Sequence, residues 1–158
     1  MLGDVYKRQD ITAIEAANGT GTINGSALTA ITGTAAAVVQ AIADLDTDPA
    51  NFNSTLAAGA ATAADIAAIA AANGTGTIDG SNLTEISGTA AAVAQSIADL
   101  DTDPATFNST LSAGAENATD ITALEAANGT GTIDGSNLTA INGTAAAVVQ
   151  AIADLDTD

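Results

Sequence analysis

Three runs of alternating acids have the most chemically suggestive spacing in this chain. Asp44, Asp46 and Asp48 form the first, Asp99, Asp101 and Asp103 the second, and Asp154, Asp156 and Asp158 the third. On an extended backbone, residues two apart point to the same side. Carboxylates gathered in this way repel one another unless a hard cation joins them, and oxygen-only donor sets suit Ca2+. The first two runs are therefore the candidate metal ligands, with Ca2+ as the candidate cofactor. Acids at a helix C-terminus also oppose the helix dipole, which a cation would relieve. The same stretch has a plainer reading, as a solvated helix end in which Asp101 and Asp103 form Asx turns before Pro104.

Little other chemistry is open to this alphabet. Beyond Gln9 the sequence contains no Lys, Arg, His, Cys, Trp, Tyr or Met. Nucleophilic catalysis through Ser or Thr needs a partnering base, and zinc or transition-metal sites want Cys or His. Two carboxylates could serve a glycosidase, but such clefts use aromatic platforms, and Phe52 and Phe107 are the only aromatics past Tyr6. A formal net charge of −17 repels phosphate, nucleic acid and anionic lipid. It suits a setting where salt or divalent cations screen self-repulsion. No apolar run approaches the ~20 residues of a membrane span, so membrane insertion is not expected. These absences argue against an enzyme. Gly74-x-Gly76-x-x-x-Gly80 is no dinucleotide fingerprint, because it follows a helix pattern and its third spacing is wrong.

The acids recur because the whole chain recurs. Residues 65–103 and 120–158 align over 39 positions with seven differences, at 67, 69, 70, 85, 87, 94 and 96 of the earlier copy. The same text begins at Asp10, so that Asn18, Asn73 and Asn128 correspond at one constant offset, as do Pro49 and Pro104. A fixed period of this size means an array of one supersecondary unit. Repeats 10–64 and 65–119 are then complete and 120–158 is incomplete, so the chain reads as a fragment of something longer. Residues 1–9 match no part of the repeat. Asp4-Val5-Tyr6-Lys7-Arg8-Gln9 resembles a translated sequencing adapter, and the segment is expected to be disordered and outside the fold.

Within the second repeat, residues 63–72 are alanine-rich and helix-favouring, with Thr62 or Asp65 as cap and Asn73-Gly74 as the left-handed stop. Gly74-Thr75-Gly76-Thr77-Ile78 reads as a short strand, Asp79-Gly80 as a turn, and Leu83–Ile86 as a further extended segment. Thr89 can cap a second helix over 90–100, whose Val93, Ile97 and Leu100 share one face. Thr106–Leu111 echoes Thr77–Leu83, which divides the period into two strand–helix coils of about 27 or 28 residues, in the range of leucine-rich-repeat coils. The fold class expected is α/β, a repeat solenoid with two short-strand/helix coils in each repeat and parallel short strands. Stacking should set Ile78 in register with Ile23 and Ile133, because one coil cannot offset its own ordering cost of ~1 to 2 kcal/mol per residue.

Residues 76–91 and 141–148 resemble the repeats of very long, Thr/Ala/Asp-rich, adhesin-like surface proteins of marine bacteria and cyanobacteria. That resemblance implies a cell-surface or extracellular location and a spacer or adhesive role, with no catalytic residues. Its partners would be neighbouring repeats of the parent chain, with end-to-end self-association through exposed stacking faces. The loop Asn73–Asp79, followed by Leu83 and Ile86, is similar to the calcium loop of dockerins and EF-hands. Counting Ala71 as its first position puts Gly76 at the glycine and Ile78 at the central aliphatic. Ala71, Thr75 and Asn82 then stand where carboxylate ligands belong. The alternative is a glycine-rich turn entering a buried strand.

Overall fold

The structure is a computed structural model that describes residues 5–157, with side chains from Ile11 onward. It is mixed α/β, with six helices and short parallel strands in small sheets among the described residues. The helices are α1 (Arg8–Asn18), α2 (Ala35–Ala43), α3 (Ala63–Ala72), α4 (Ala90–Asp99), α5 (Ala118–Ala127) and α6 (Ala145–Asp154). The strands are β1 (Val5–Lys7), β2 (Ala30–Gly33), β3 (Asn53–Leu56), β4 (Gly59–Thr62) and β5 (Ile78–Asp79), followed by β6 (Leu83–Ser87), β7 (Ser109–Thr110), β8 (Gly114–Asn117), β9 (Ile133–Asp134) and β10 (Leu138–Asn142).

Helix boundaries follow local chemistry. Alanine favours the helix, and the Thr62 hydroxyl accepts from the Asp65 N–H at 3.1 Å to start α3. Thr89 and Thr144 cap α4 and α6 in the same way, at 3.2 and 3.3 Å. Past the ends of α3 and α5, Gly74 and Gly129 take φ of +64° and +71°, the left-handed stop that glycine enters without strain. Each helix packs against the next one along the chain.

Strand pairing advances by one strand–helix unit at a time. Val5 pairs with Ala30, Ala30 with Asn53, Ser54 with Ile78 and Asp79 with Thr102, all in parallel. A second ladder, begun by β4, follows the same course in the next unit. Ala60 pairs with Glu85, Glu85 with Asn108, Ser109 with Ile133 and Asp134 with Thr157. A third opens where β8 meets β10. Every step spans one helix.

Two expectations need correction. Ile23, Ile78 and Ile133 do not stack on one another, since the neighbour of Ile78 is Ser54 and that of Ile133 is Ser109. Two ladder steps carry the chain from Val5 to Asn53, whereas one full repeat reaches Ala60. The stride of the ladder is thus shorter than the period of the text. Equivalent residues are therefore displaced sideways, and each repeat opens a ladder of its own. Residues 5–9 also do not lie outside the fold. Val5–Lys7 forms β1, in the place that β4 and β8 fill in later repeats, and Arg8 starts α1. An open strand edge recruits backbone, whatever text supplies it. Residues 1–4 lie outside the described residues.

The core is one apolar cluster that draws residues from all three repeats, from Ile11 to Ala151. Ile66, Ile69 and Ile78 are at most 1% exposed, and so are their counterparts Ile121, Leu124 and Ile133. Each such side chain contributes about 1.5–3 kcal/mol by burial. Alanine at 35, 63, 90 and 118 is at most 3% exposed at the first turns of α2 to α5, which lets the helices lie close to the strands.

Candidate functional site

The acidic runs begin at helix ends and continue into the next extended stretch. α2 ends at Ala43 with Asp44 as its C-cap, and α4 ends at Asp99. Asp44 turns back onto the helices. Its Oδ1 accepts from Gln40 Nε2 at 2.6 Å and its Oδ2 from the Thr12 hydroxyl of α1 at 3.1 Å. Asp154 repeats this with Gln150 at 2.7 Å and Thr122 at 2.8 Å. Asp99 keeps the glutamine contact, from Gln95 at 2.9 Å, but the position of the threonine is taken by Ala67.

The second acid of each run points elsewhere. Asp46 Oδ2 accepts from the Ile23 N–H at 2.6 Å, Asp101 from Ile78 at 2.7 Å and Asp156 from Ile133 at 2.8 Å. Each carboxylate thus caps a backbone N–H one coil back. The backbone adds to the same contact, because the Asp46, Asp101 and Asp156 N–H groups donate to those isoleucine carbonyls at 2.9 to 3.0 Å. Asp48 and Asp103 are exposed beside the buried Pro49 and Pro104. Asp158 lies outside the described residues.

Alternating spacing therefore does not gather the acids. Asp44 and Asp46 hold different partners, as do Asp99 and Asp101, while Asp48 and Asp103 lie exposed. Among the described residues, no group of three His, Cys, Asp or Glu side chains is arranged to hold a metal ion. The alternation argument assumed a free extended strand. Here each run straddles a helix end, and the second carboxylate is captured by an N–H that would otherwise lack a partner.

The loop that is similar to a calcium loop is occupied by its own contacts. Asn73, 5% exposed, donates from Nδ2 to the Gly76 carbonyl at 2.7 Å, and Asn128 donates to Gly131 at 2.9 Å. Thr75 gives both its N–H and its hydroxyl to Asn51 Oδ1, at 2.8 and 2.9 Å. Gly76 is required by close approach, since a Cβ there would run into the Phe52 carbonyl of the preceding coil. Asp79 Oδ1 accepts from the Ser81 N–H at 3.0 Å, closing an Asx turn. The Ser81 side chain and then its N–H hold the Asp79 carboxyl below the ordinary range, and Ser136 does the same for Asp134.

Two features were missed by sequence reasoning. Glu116 sits at the inward position that Ala61 holds one repeat earlier, paired with Ile141 and 6% exposed. Burial pushes its carboxyl up, the Ala90 N–H partly offsets this, and Asp120 adds repulsion. The signal was the mismatch itself, one glutamate against an alanine in aligned text. The other is a shallow groove of about 470 Å3 between α3 and α4, walled by Ala64, Ala67 and Ala92 and edged by Ser87, Thr89 and Asp99. It lies where Thr12 and Thr122 bridge to an aspartate in the flanking helix pairs. The residues that line it include no His, Lys or Arg.

What repeats most faithfully from unit to unit is cross-coil hydrogen bonding. Asn53 Oδ1 accepts from the Thr77 N–H at 2.9 Å, and Asn108 from Thr132 at 3.0 Å, each one coil on. Together with the aspartate caps, these bonds link strand–helix units that are adjacent in sequence. A scan against protein-family models finds no match for this chain, and searches of curated proteins and of solved structures find none either.

Proposed function

We propose that the chain is a non-enzymatic structural repeat segment, a leucine-rich-repeat-like β-α solenoid that acts as spacer or adhesive stalk in a large extracellular or cell-surface protein. One observation carries this reading. Equivalent residues of successive repeats have the same burial and the same cross-coil partners, as with Phe52 and Phe107, Leu56 and Leu111, and Ile78 and Ile133. The chain's polar groups are spent on holding one coil to the next, and the acidic outer surface suits a cation-rich exterior. Neighbouring copies of the repeat are its first partners, in the same chain or end to end with another. The calcium-responsive alternative gains no support from the acids, which hold different partners or lie exposed.

Concatemers of two, four and six repeats test the proposal by small-angle scattering. A stack lengthens linearly with copy number, since each repeat interacts with its neighbours alone. A radius of gyration growing roughly as the 0.38 power of chain length marks a globule and defeats the reading.

A further inference from the structure

Ten of the eleven asparagines in this chain stand two residues before a Ser or Thr, with no proline between. Ser and Thr fill only 31 of the 158 positions, so chance would place few asparagines in that way. Copying by the repeat does not account for it, since the pattern holds at six of seven positions when corresponding residues are counted once. Asn-x-Ser/Thr is the acceptor triplet of N-glycosylation, a modification of surface turns. The structure sorts the triplets by whether the amide nitrogen is free to react. Asn73 and Asn128 are 5% and 0% exposed, with Nδ2 held by the Gly76 and Gly131 carbonyls. Asn53 and Asn108 each hold an N–H through Oδ1, and the middle residues of their triplets, Ser54 and Ser109, are buried.

One turn behaves differently in every repeat, the turn that leads into β2, β6 and β10. In the first repeat it presents Asn24-Gly25-Ser26, with Ala27 beyond. In the second, Asp79 stands in place of that asparagine, and Asn82-Leu83-Thr84 appears three residues on. The third repeat has Asn137-Leu138-Thr139. Each turn thus carries one triplet, although its place within the turn shifts. All three asparagines and the hydroxyl residues two positions on are exposed. Asn24 Oδ1 accepts from the Ser26 N–H at 2.9 Å, an Asx turn that occupies the amide oxygen rather than the nitrogen. Asn82 and Asn137 place Nδ2 at 3.4 Å from the Leu56 and Leu111 carbonyls, too long a contact to hold the nitrogen firmly.

We propose that this turn is an N-glycan acceptor, modified at Asn24, Asn82 and Asn137 by a sugar activated as its diphosphate. A base of the transferase takes one Nδ2 proton while the nitrogen bonds to the anomeric carbon of the sugar. The bond from that carbon to the diphosphate oxygen breaks, and the diphosphate leaves. The second Nδ2 hydrogen stays, so the contact with Leu56 or Leu111 survives the reaction. Each repeat then gains one neutral, hydrated group on an acidic surface. The inference stands on where the triplets lie and does not depend on the structural role proposed above.

The folded full chain is incubated with a soluble N-glycosyltransferase that reads Asn-x-Ser/Thr and UDP-glucose, and separately with an oligosaccharyltransferase and a polyprenyl-diphosphate sugar. Mass spectrometry of proteolytic peptides locates the added sugar. Modification of Asn24, Asn82 and Asn137 is expected, in the first arm for a nucleoside-diphosphate donor and in the second for a lipid-linked one. Asn73 and Asn128 should stay bare in the folded chain, whereas short synthetic peptides that contain them are modified. Ser26→Ala, Thr84→Ala and Thr139→Ala should each abolish the sugar at the asparagine two residues before, with the native circular dichroism spectrum kept, and Thr84→Ser should retain it. No modification in either arm, or equal modification of Asn73 and Asn82 in the folded chain, overturns the proposal.

Discussion

The Asp101 carboxylate accepts a 2.7 Å hydrogen bond from the N–H of Ile78, a residue one coil earlier and 1% exposed. The stretch after one helix is thereby fastened to the stretch after the helix before it. Asp46 with Ile23 and Asp156 with Ile133 are the same fastening in the other repeats.

Removing that acceptor orphans a backbone donor. Asp101→Ala should destabilise the chain by about 1–2 kcal/mol, and Asp101→Asn, which keeps an amide oxygen in place, by roughly half as much. Urea denaturation of the three proteins measures this. Equal losses for both variants would mean that the carboxylate acts through charge alone.

The captured acids also set an expectation for metal. Calorimetric titration of Ca2+ into the wild-type chain and into the triple variant Asp99/Asp101/Asp103→Asn should give no saturable heat in either. A stoichiometric binding event lost in the triple variant would restore the calcium reading.

Glu116 supplies a pH dependence of definite sign. Its folded-state carboxyl is raised above the ordinary 4.5, so folding favours the protonated form. Stability from this group is full below about pH 4.5 and declines as pH rises through the raised value. Glu116→Gln should therefore match the wild type in acid and exceed it at neutral pH. Melting curves from acid to neutral pH test this, and a constant difference across the range would refute it.

The Thr122 and Asp154 pair can be isolated from helix propensity by a double-mutant cycle. A coupling of about 0.5–1 kcal/mol is expected for this 2.8 Å bond, and none between Ala67 and Asp99, where the hydroxyl is missing. Ala67→Thr should create the coupling and fill part of the α3–α4 groove.

Much of the local structure was legible. The alanine-rich text of 63–72, its threonine cap and Gly74 define α3 to the residue, because helix chemistry acts within a few positions. β4 and β8 were not legible. Gly59-Ala60-Ala61-Thr62 carries no β-branched or aromatic residue before Thr62, and it is extended because β6 offers it an edge. The register was hidden for a related reason. Sequence displays the period that links Asn18 to Asn73. Hydrogen bonding instead steps from Ala30 to Asn53 and from Ser54 to Ile78, a stride set by the length of one helix and its turns. The DxDxD spacing was visible too, but the geometry at a helix end sends the first two carboxylates of each run to different partners.

The threonine-to-aspartate bridges, Thr12 to Asp44 and Thr122 to Asp154, are the longest-range side-chain hydrogen bonds among the described residues. A polypeptide organised this way needs nothing from its distal portion to finish its proximal one. It can acquire native order progressively while threading out of a ribosome tunnel, and unequal recombination can insert or delete whole units without disturbing the wiring of those that remain.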